Sequence, residues 1–388
     1  MKLAAMKLSA LFVGAAMALS ACSAATPSAS TASSITKLGK GEGSLSLLGW
    51  PGYAEDGSND PKVDWVTPFE QASGCRVTFK SYGTSDEALN LFKTGNYDAI
   101  AASGDATLRL IASGAVQPLN TKLIPSYKGV YSFLKNRAWN TVDGKTYGVP
   151  HGYGANLLMY KKDVVKPAPT SWSVVFDGSS AYKGHVTAYD SPIYIADAAV
   201  YLMAHNPKLG IKNPYALDDN QLKAAVDLLK AQRANVGEYW SDYLKEISAF
   251  ESGDSVVGTT WQVIVNSMSA KANVGAVLPS EGATGWSDSW MVASNTKHVN
   301  CAYKWLDYID SAKANAAATE YFGEAPVTQA ACQYGSAGFC DSYHAGDATY
   351  ASKIWYWTTP IAKCLDGRTD VQCTDYAAWT TAWQEIKG

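Results

Sequence analysis

Several features that would place this chain in a familiar class are missing from its 388 residues. No cluster of lysine and arginine stands out and the formal net charge is −3, which argues against nucleic acid as a partner, because phosphate backbones bind massed basic side chains. No Cys-x-x-Cys occurs, so a zinc ribbon or a thioredoxin-type motif is not expected. Beyond the N-terminus no unbroken apolar run reaches membrane-spanning length.

Motifs of hydrolytic enzymes are missing as well. None of the five histidines belongs to a His-Glu-x-x-His pair or lies beside a Gly-x-Ser-x-Gly elbow. They are His151, His185, His205, His298 and His344. A Ser-His-Asp triad can still assemble from distant parts of a chain, so a secreted hydrolase stays a minor alternative. We therefore expect a protein that is no enzyme and has neither cofactor nor resident metal.

The N-terminus has the pattern of a secretory signal. Lys2 and Lys7 precede a short apolar run that ends at Leu19-Ser20-Ala21-Cys22. This tetrad resembles the lipobox of bacterial lipoproteins, in which the cysteine is lipidated and becomes the first mature residue. We predict a signal peptide over 1–21 and a lipid anchor at Cys22, since two or more acyl chains hold a protein stably at a membrane. An ordinary cleaved signal with an incidental cysteine is the alternative.

Residues 22–43 are typical of a tether. Its first half consists mainly of Ser, Ala, Thr and Pro, and its second half is rich in Gly and charged residues. No face of such a segment could bury enough surface to offset the entropy of ordering. The folded part is expected to begin near Ser44. It spans about 345 residues, above the size at which a single core keeps growing, which favours two lobes.

Besides Cys22 the chain has six cysteines, an even number that favours disulfides in an exported protein. Fifteen pairings are possible in principle. We favour Cys332–Cys340 and Cys364–Cys373, which would close short loops, and Cys75–Cys301, which would span a long stretch. The other pairings stay open.

Strand and helix patterns alternate in short units. Ser44 to Leu48 and Arg76 to Tyr82 are predicted strands, and Thr84-Ser85-Asp86-Glu87 fits a capping box at the start of a helix. Tyr97 to Ala102 is the next predicted strand, followed by another helix. This alternation predicts an α/β fold with a mainly parallel sheet flanked by helices.

Aromatic and acidic residues recur where the predicted strands end. The chain has thirteen tryptophans and twenty-three tyrosines, more than core filling requires. In open parallel sheets ligands bind beyond the carboxyl ends of the strands. The candidate ligand-binding residues there are Trp50, Tyr53, Ser103, Asp105, Tyr189, Asp190, Trp261, Trp286, Asp288 and Glu324. Carboxylates and ring faces suit an amine-bearing cation, which the carboxylates hydrogen-bond and the rings attract.

Each candidate taken alone has an ordinary structural explanation. An aspartate after a strand, such as Asp105 or Asp190, is often a helix cap or a turn former. A single tryptophan is more often core than ligand platform. The cluster Trp286-Ser287-Asp288-Ser289-Trp290 and the repeated conjunction of rings and acids favour a binding site.

An ordered series of short motifs resembles the spermidine/putrescine-binding proteins of bacterial ABC importers. The motifs are Gly49-Trp50-Pro51-Gly52-Tyr53, Gly95-Asn96-Tyr97-Asp98, Tyr147-Gly148-Val149-Pro150, Gly258-Thr259-Thr260-Trp261, Gly285-Trp286-Ser287-Asp288 and Phe322-Gly323-Glu324-Ala325-Pro326. The resemblance implies the type II periplasmic-binding-protein fold, in which two α/β lobes joined by a hinge close on a ligand. It also implies ring walls and amine-binding carboxylates. The implied walls are Trp50, Tyr53, Trp261 and Trp286, and the implied carboxylates are Asp190 and Asp288.

The chain also departs from that pattern. Asp105 stands where the family often has an aromatic, Ile193 where a second acid is expected, and Glu324 where the family has a tyrosine. The Trp-rich stretch Ile354 to Trp357 lies outside the pattern as well. These departures favour a subgroup that binds a different amine.

The resemblance also implies the lobe assignment and the partners. The first lobe would comprise 44–149 and 288–331, and the second 150–287 and 332–388, with hinges near Pro150 to Leu157 and Asp288 to Val292. We expect a monomeric, extracytoplasmic binding component that hands its cargo to an ABC permease. A ferric-ion binder of the same fold is the alternative, since tyrosines and carboxylates are hard ligands, although no adjacent tyrosines follow a strand.

Overall fold

A computed structural model describes residues 35–178, 181–268 and 272–388. The predicted signal peptide, the lipidation residue Cys22 and the tether up to residue 34 lie outside the described residues. The rest of the predicted tether contacts the body, because the Gly39 amide donates to Asn300 Oδ1 and Glu42 accepts from the amides of Asn300 and Cys301. Asn120 Nδ2 also donates to the Ile35 carbonyl at 3.1 Å, and Ile35 and Leu38 pack against a hydrophobic core, so the chain contacts the body from Ile35, ahead of the expected start at Ser44.

The strands alternate with helices through most of the chain. The strands are β1 (Ser44–Gly49), β2 (Arg76–Ser81), β3 (Ala99–Ala102), β4 (Thr141–Val142), β5 (Lys145–Thr146), β6 (Gly148–Lys161), β7 (Val186–Tyr189), β8 (Val236–Trp240), β9 (Val257–Trp261), β10 (Val274–Val277), β11 (Ala283–Val292), β12 (Ala325–Pro326) and β13 (Ile354–Tyr356). The helices are α1 (Val66–Ser73), α2 (Ser85–Phe92), α3 (Gly104–Ala112), α4 (Ser173–Phe176), α5 (Ile195–His205), α6 (Asp219–Gln232), α7 (Tyr243–Ser252), α8 (Gln262–Met268), α9 (Val299–Ile309), α10 (Ala312–Phe322), α11 (Phe339–Ser342), α12 (Ala348–Ala351) and α13 (Tyr376–Lys387). No helix of the described residues is long and apolar enough to cross a bilayer.

Local chemistry explains where several helices begin. Thr84 Oγ1 accepts the Glu87 amide at 3.2 Å, as the predicted capping box requires, while the Glu87 carboxylate reaches the Gly83 amide instead of that of Thr84. A complete capping box starts α6, where Asp218 and Gln221 each accept the other's backbone amide. Such caps satisfy amides that the first helical turn leaves without partners.

One long sheet connects two parallel groups of strands. Its order is β2-β1-β3-β11-β6-β9-β7-β8, with β10, β12 and β13 attached beside β6 and β11. Strands β1 to β3 pair in parallel, as do β7 to β9, whereas β6 and β11 run antiparallel to their neighbours in this order. The attached strand β13 pairs with β11 in parallel. The two long central strands therefore join the halves of the molecule.

Two separate hydrophobic cores lie on either side of this central pair. One core contains Leu47, Phe69, Ile100 and Trp305, and the other contains Leu158, Tyr194, Trp240 and Trp379. Strands β6 and β11 contribute residues to both cores. Two cores joined by shared strands are typical of two lobes, and the residues between the cores are placed to form a binding site.

Three disulfides are formed. They are Cys75–Cys301, Cys332–Cys340 and Cys364–Cys373, the pairing favoured from the sequence. The first ties the start of β2 to α9 across 226 residues, so it stabilises one core by a long-range link.

Candidate functional site

The central strands bring an acidic residue to the boundary between the two cores. Asp288 on β11 pairs with Gly152 on β6, and the register shifts immediately after it because β6 has one extra residue, His151. Such a bulge bends a strand and redirects its side chains. Glu324 reaches the same place from the turn between α10 and β12, where Gly323 ends the helix with φ +94.

Asp288 and Glu324 form a buried acid pair bridged by Tyr53. The Tyr53 hydroxyl lies 2.9 Å from Asp288 Oδ2 and 3.4 Å from Glu324 Oε2. Tyr53 is held by the turn Trp50-Pro51-Gly52-Tyr53, whose first carbonyl accepts the Tyr53 amide and whose Gly52 has φ +90. Asp288 Oδ1 and Glu324 Oε1 have no hydrogen-bond partner among the described residues.

Burial raises the pKa of both acids. The pKa of Asp288 rises to about 6 because burial outweighs the opposing effect of the Ser103, Tyr53 and Trp50 donors beside it. Burial and the charge of Asp288 raise the pKa of Glu324 as well. Ionised groups without a counter-charge are costly inside a protein, so the pair is suited to receive a cation.

The neighbouring histidine supplies no such cation. His151 Nε2 lies 3.6 Å from Glu324 Oε1, but the ring is fully buried and its pKa falls to about 3 because of burial. Among the described residues no lysine or arginine forms an ion pair with either acid. The Glu324 carboxyl also lies against the Gly152 backbone, where an added Cβ would be only 2.1 Å from it.

Asp105 is a third buried acid near this pair. It lies in the first turn of α3, directly after β3, and its Oδ1 accepts the Ser85 hydroxyl at 3.0 Å. Burial raises its pKa to about 7, against the lowering effects of Ser85 and of the Arg109 charge. Ser103 precedes it as the N-cap residue and accepts the indole N–H of Trp50 at 3.3 Å.

Aromatic rings from both halves of the sheet meet around Trp50 and Trp261. The Trp50 ring centroid lies 4.6 Å from that of Tyr82 and 6.3 Å from that of Trp261. Trp261 in turn lies 5.5 Å from Tyr189 and 4.9 Å from Trp240. Trp50 and Trp261 line a cleft of about 720 Å³, whose other walls include Tyr82, Tyr243, Tyr321 and Phe322.

Trp286 lies beside the acid pair and away from this cleft. Its ring covers Gly154, where a Cβ would be 2.5 Å from the indole, and it meets Phe322 edge to face at 6.1 Å. Its indole N–H has no partner among the described residues. Trp286 therefore packs on the central strand β6 beside the acid pair and does not line the cleft.

Asp190 is the candidate whose surroundings differ most from expectation. No lysine or arginine lies near Asp190 in the sequence, yet Lys387 Nζ lies 2.5 Å from Asp190 Oδ2. The indole N–H of Trp383 donates to Asp190 Oδ1 at 3.1 Å. Both partners come from α13, which lies nearly 200 residues downstream, so strand-end reading could not find them.

The C-terminal segment packs against Tyr189 and the start of α3. The Trp357 ring stacks on Tyr189 with centroids 5.6 Å apart and planes 11° apart. The Thr359 amide donates to the Gly104 carbonyl at 2.9 Å, which fixes the segment beside Asp105. The sequence shows that the Trp-rich stretch is unusual, but it does not predict a place near the site for Trp357, Tyr82, His151 or Lys387.

A metal-binding cluster does not coincide with this site. Within the described ranges the one group of three or more potential ligands close enough to share an ion is Cys364, Asp366 and Cys373. Its two cysteines are joined in a disulfide and offer no thiolate. This cluster contains no tyrosine, so it does not bear on the ferric-ion alternative, for which tyrosines and carboxylates are the expected ligands.

Comparison with known proteins agrees with the fold. The model of a family described as bacterial extracellular solute-binding protein matches residues 64–342. The putrescine/cadaverine-binding protein of Pseudomonas aeruginosa is 24% identical over 314 residues, which cover 75% of this chain and 81% of that protein.

Solved structures show the same two-lobed fold. The spermidine/putrescine ABC transporter substrate-binding protein PotD of Streptococcus pneumoniae superposes with a TM-score of 0.69 and 16% identity, covering 89% of this chain and 97% of that chain. The TpPotD lipoprotein of Treponema pallidum superposes with a TM-score of 0.70 and 17% identity, covering 88% of this chain and 99% of that chain. These likenesses confirm the fold class and the resemblance inferred from the motifs, and the relatives are transport binding proteins and not enzymes.

Proposed function

Because the chain belongs to the bacterial extracellular solute-binding protein family, we propose that it captures a polyamine or a related organic cation and delivers it to an ABC permease. The observation that carries this proposal is the Asp288–Glu324 pair. Two buried carboxylates share one hydroxyl donor and have no cationic partner among the described side chains. An ammonium group would supply the missing donors and the missing charge together.

The rings around the acids suit the same cargo. Trp50 and Trp261 come from different halves of the sheet, meet edge to face with centroids 6.3 Å apart, and both line the cleft. Aromatic faces attract ammonium groups and pack on the methylenes between them, more strongly where water is excluded. Asp288 and Glu324 are buried and do not line this cleft, so cargo would reach them when the lobes open.

We propose lobes of 44–149 with 288–331 and of 150–287 with 332–388, hinged near Pro150 to Leu157 and Asp288 to Val292. The two cores support this division, since most of their residues follow it. Val130, Leu134 and Trp139 pack instead in the core of the second lobe, so the chain crosses the boundary there. Closure of such lobes on a ligand is a common hinge motion.

The family is extracytoplasmic, and we propose that this member is a monomer tethered by lipid at Cys22. Support comes from the lipobox-like Leu19-Ser20-Ala21-Cys22 and from the Ser/Ala/Thr-rich segment after it. The contact of Ile35 with Asn120 would then leave the residues between Cys22 and Ile35 as the spacer. Metabolic labelling with a radioactive fatty acid, lost in Cys22→Ser, tests this part.

A thermal-shift screen followed by calorimetry tests the cargo. The panel contains putrescine, spermidine, 4-aminobutyrate, choline, a simple sugar and ferric citrate. A ligand at a hundred times its Kd stabilises the folded state by about 2.7 kcal/mol, which is readily measured. Stabilisation by amines and not by the sugar supports the proposal. Stabilisation by ferric citrate alone, or by the sugar alone, contradicts it.

A further inference from the structure

The cleft of about 720 Å³ contains a carboxylate that the proposed capture site does not use. Glu55 lines this cleft, although only 5% of its surface is exposed. Asn59 Nδ2 donates to Glu55 Oε2 at 2.8 Å, and Asn59 lines the cleft as well. The Glu55 carboxylate is therefore shielded from most of the solvent and oriented by a neutral donor at the wall of an open cavity.

The segment that contains Glu55 is fixed by the fold. The Glu55 carbonyl accepts the amides of Trp65 and Val66, both at 3.1 Å. Between them the Gly57 amide donates to the Val63 carbonyl at 3.1 Å, and Gly57 has φ +81. These bonds close the loop that leads into α1. A carboxylate that is held in place before a ligand arrives needs little reorganisation to bind it.

No basic side chain of the described residues compensates this acid. None of the described residues that line the cleft is a lysine, an arginine or a histidine. Glu55 also forms no ion pair among them. The other half of the sheet adds a second acid to the lining, Asp242, which caps α7 by accepting the Leu244 amide at 2.9 Å. A cleft lined by charges of one sign attracts ligands of the opposite sign.

Aromatic rings line the same cavity. The Tyr321 ring covers the turn before Glu55, since a Cβ on Gly52 would lie 3.4 Å from it, and it meets Trp65 edge to face at 5.9 Å. Tyr243 lines the cleft from the other half of the sheet. Burial raises the pKa of Tyr321, and the charge of Glu55 raises it further. Rings beside a carboxylate are the groups that attract an ammonium ion and pack on its hydrocarbon part.

We propose that the cleft is a second, outer binding site for an organic cation, in which Glu55 accepts the ammonium group and the rings that line the cleft pack on the hydrocarbon part. This site goes beyond the proposed capture at Asp288 and Glu324 and does not depend on it. It is open to solvent in the arrangement of the lobes that the structure shows, whereas the buried pair is not. A primary amine on a short aliphatic chain fits one shielded carboxylate with apolar walls. We expect the outer site to be the weaker of the two, since water reaches it.

Calorimetry with butylamine and with its uncharged counterpart 1-butanol tests the site. Asp288→Asn weakens the buried pair, so the binding that remains reports on the cleft. This variant is expected to bind one butylamine per chain and to bind 1-butanol at least about tenfold more weakly. Adding Glu55→Gln should weaken the remaining butylamine binding at least about tenfold. Adding Tyr321→Leu instead, at a position that is 45% exposed, should weaken it by about two- to fivefold.

Glu385→Gln, added to Asp288→Asn, is the matched control, because Glu385 is an exposed acid that pairs with Lys230 and does not line the cleft. It should leave the remaining binding unchanged, and the melting temperature of each variant shows that it is folded.

The outcomes separate the two sites. Remaining binding that Glu55→Gln does not alter, equal binding of 1-butanol, or no remaining binding in Asp288→Asn overturns the cleft site and leaves capture at the buried pair standing. Wild-type binding that Glu55→Gln removes and Asp288→Asn does not change supports the cleft site and overturns the buried pair. Absence of butylamine binding in the wild-type protein overturns both.

Discussion

The Tyr53 hydroxyl donates to Asp288 Oδ2 over 2.9 Å and so joins the turn after β1 to the middle of β11, 235 residues away. The contact is fully buried. It orients one carboxylate oxygen and leaves the other without a partner among the described residues. An acid held in this way is prepared for a ligand before the ligand arrives, which lowers the reorganisation that binding requires.

Replacing Asp288 by Asn should abolish most cargo binding. The variant keeps the shape but loses the charge that an ammonium needs, and removing one partner of a buried charge pair costs about 2–5 kcal/mol, or roughly thirtyfold to several thousandfold in affinity. Calorimetry with the amine selected by the thermal screen measures the loss.

Asp227→Asn is the matched control for that variant, because Asp227 is an exposed acid paired with Lys223 on the surface of α6. It should bind like wild type. Wild-type affinity in Asp288→Asn would show that Asp288 is not part of the site.

Gly152→Ala should damage the site through shape alone. An added Cβ would lie 2.1–2.3 Å from the Glu324 carboxyl atoms, so the carboxyl has to move away from Tyr53 and Asp288. We expect a loss of at least about tenfold in cargo affinity, together with destabilisation by about 1–3 kcal/mol from overpacking. Gly178→Ala, where nothing lies within 4 Å of the added atom, should change neither quantity. Equal behaviour of the two variants would contradict the placement of Glu324.

Cargo affinity should rise with pH between about 5 and 8. Burial raises the pKa of Asp288 to about 6 in the free protein and that of Asp105 to about 7, and Glu324 shifts in the same direction. A bound cation favours the ionised acids and lowers their pKa, so binding at pH 5 has to expel protons and is weaker, and fewer protons remain to be expelled as the pH rises through these pKa values.

Calorimetry in buffers of different ionisation enthalpy measures those protons directly. Proton release should be largest near pH 5 to 6 and should be smaller in Asp288→Asn. An affinity that is constant over this range, or protons taken up instead of released, would contradict the binding of a cation at these acids.

The disulfide Cys75–Cys301 should matter more for stability than either short one. It spans 226 residues, whereas Cys332–Cys340 spans 8, and in the chain-entropy description a longer closed loop restricts the unfolded chain more. Replacing both Cys75 and Cys301 by Ala should cost about 2–5 kcal/mol in the free energy of unfolding. Denaturant titration measures it, with the Cys332 and Cys340 double variant as the comparison. A larger loss in the comparison variant would be inconsistent with this explanation.

Several parts of the site were readable from the sequence because they depend on local signals. Trp50 and Asp105 follow predicted strands, and the turn at Gly52 needs a glycine at a positive φ. Trp286 and Asp288 were expected beyond a strand end but lie within β11, because that strand continues to Val292. Strand ends of one sheet gather at an edge, so their side chains could be expected near one another. The family motifs then implied which segments form each lobe.

Other parts could not be read in this way, because they depend on contacts between distant segments. Lys387 reaches Asp190 only because α13 packs across the second core, and Trp357 stacks on Tyr189 only because β13 pairs with β11. No spacing or periodicity in the sequence indicates either contact. The neutral state of His151 likewise follows from complete burial, which no sequence pattern announces.

The sequence by itself determined the alternation of strands and helices, the cysteines available for pairing, and the set of rings and acids at the strand ends. These properties follow from side-chain chemistry and short-range periodicity, which the order of residues contains directly. The tertiary structure alone decided which acids are compensated and which are not. Charge compensation depends on distances between segments hundreds of residues apart and on the exclusion of water, so it leaves Asp288 and Glu324 open to a cation while Lys387 occupies Asp190.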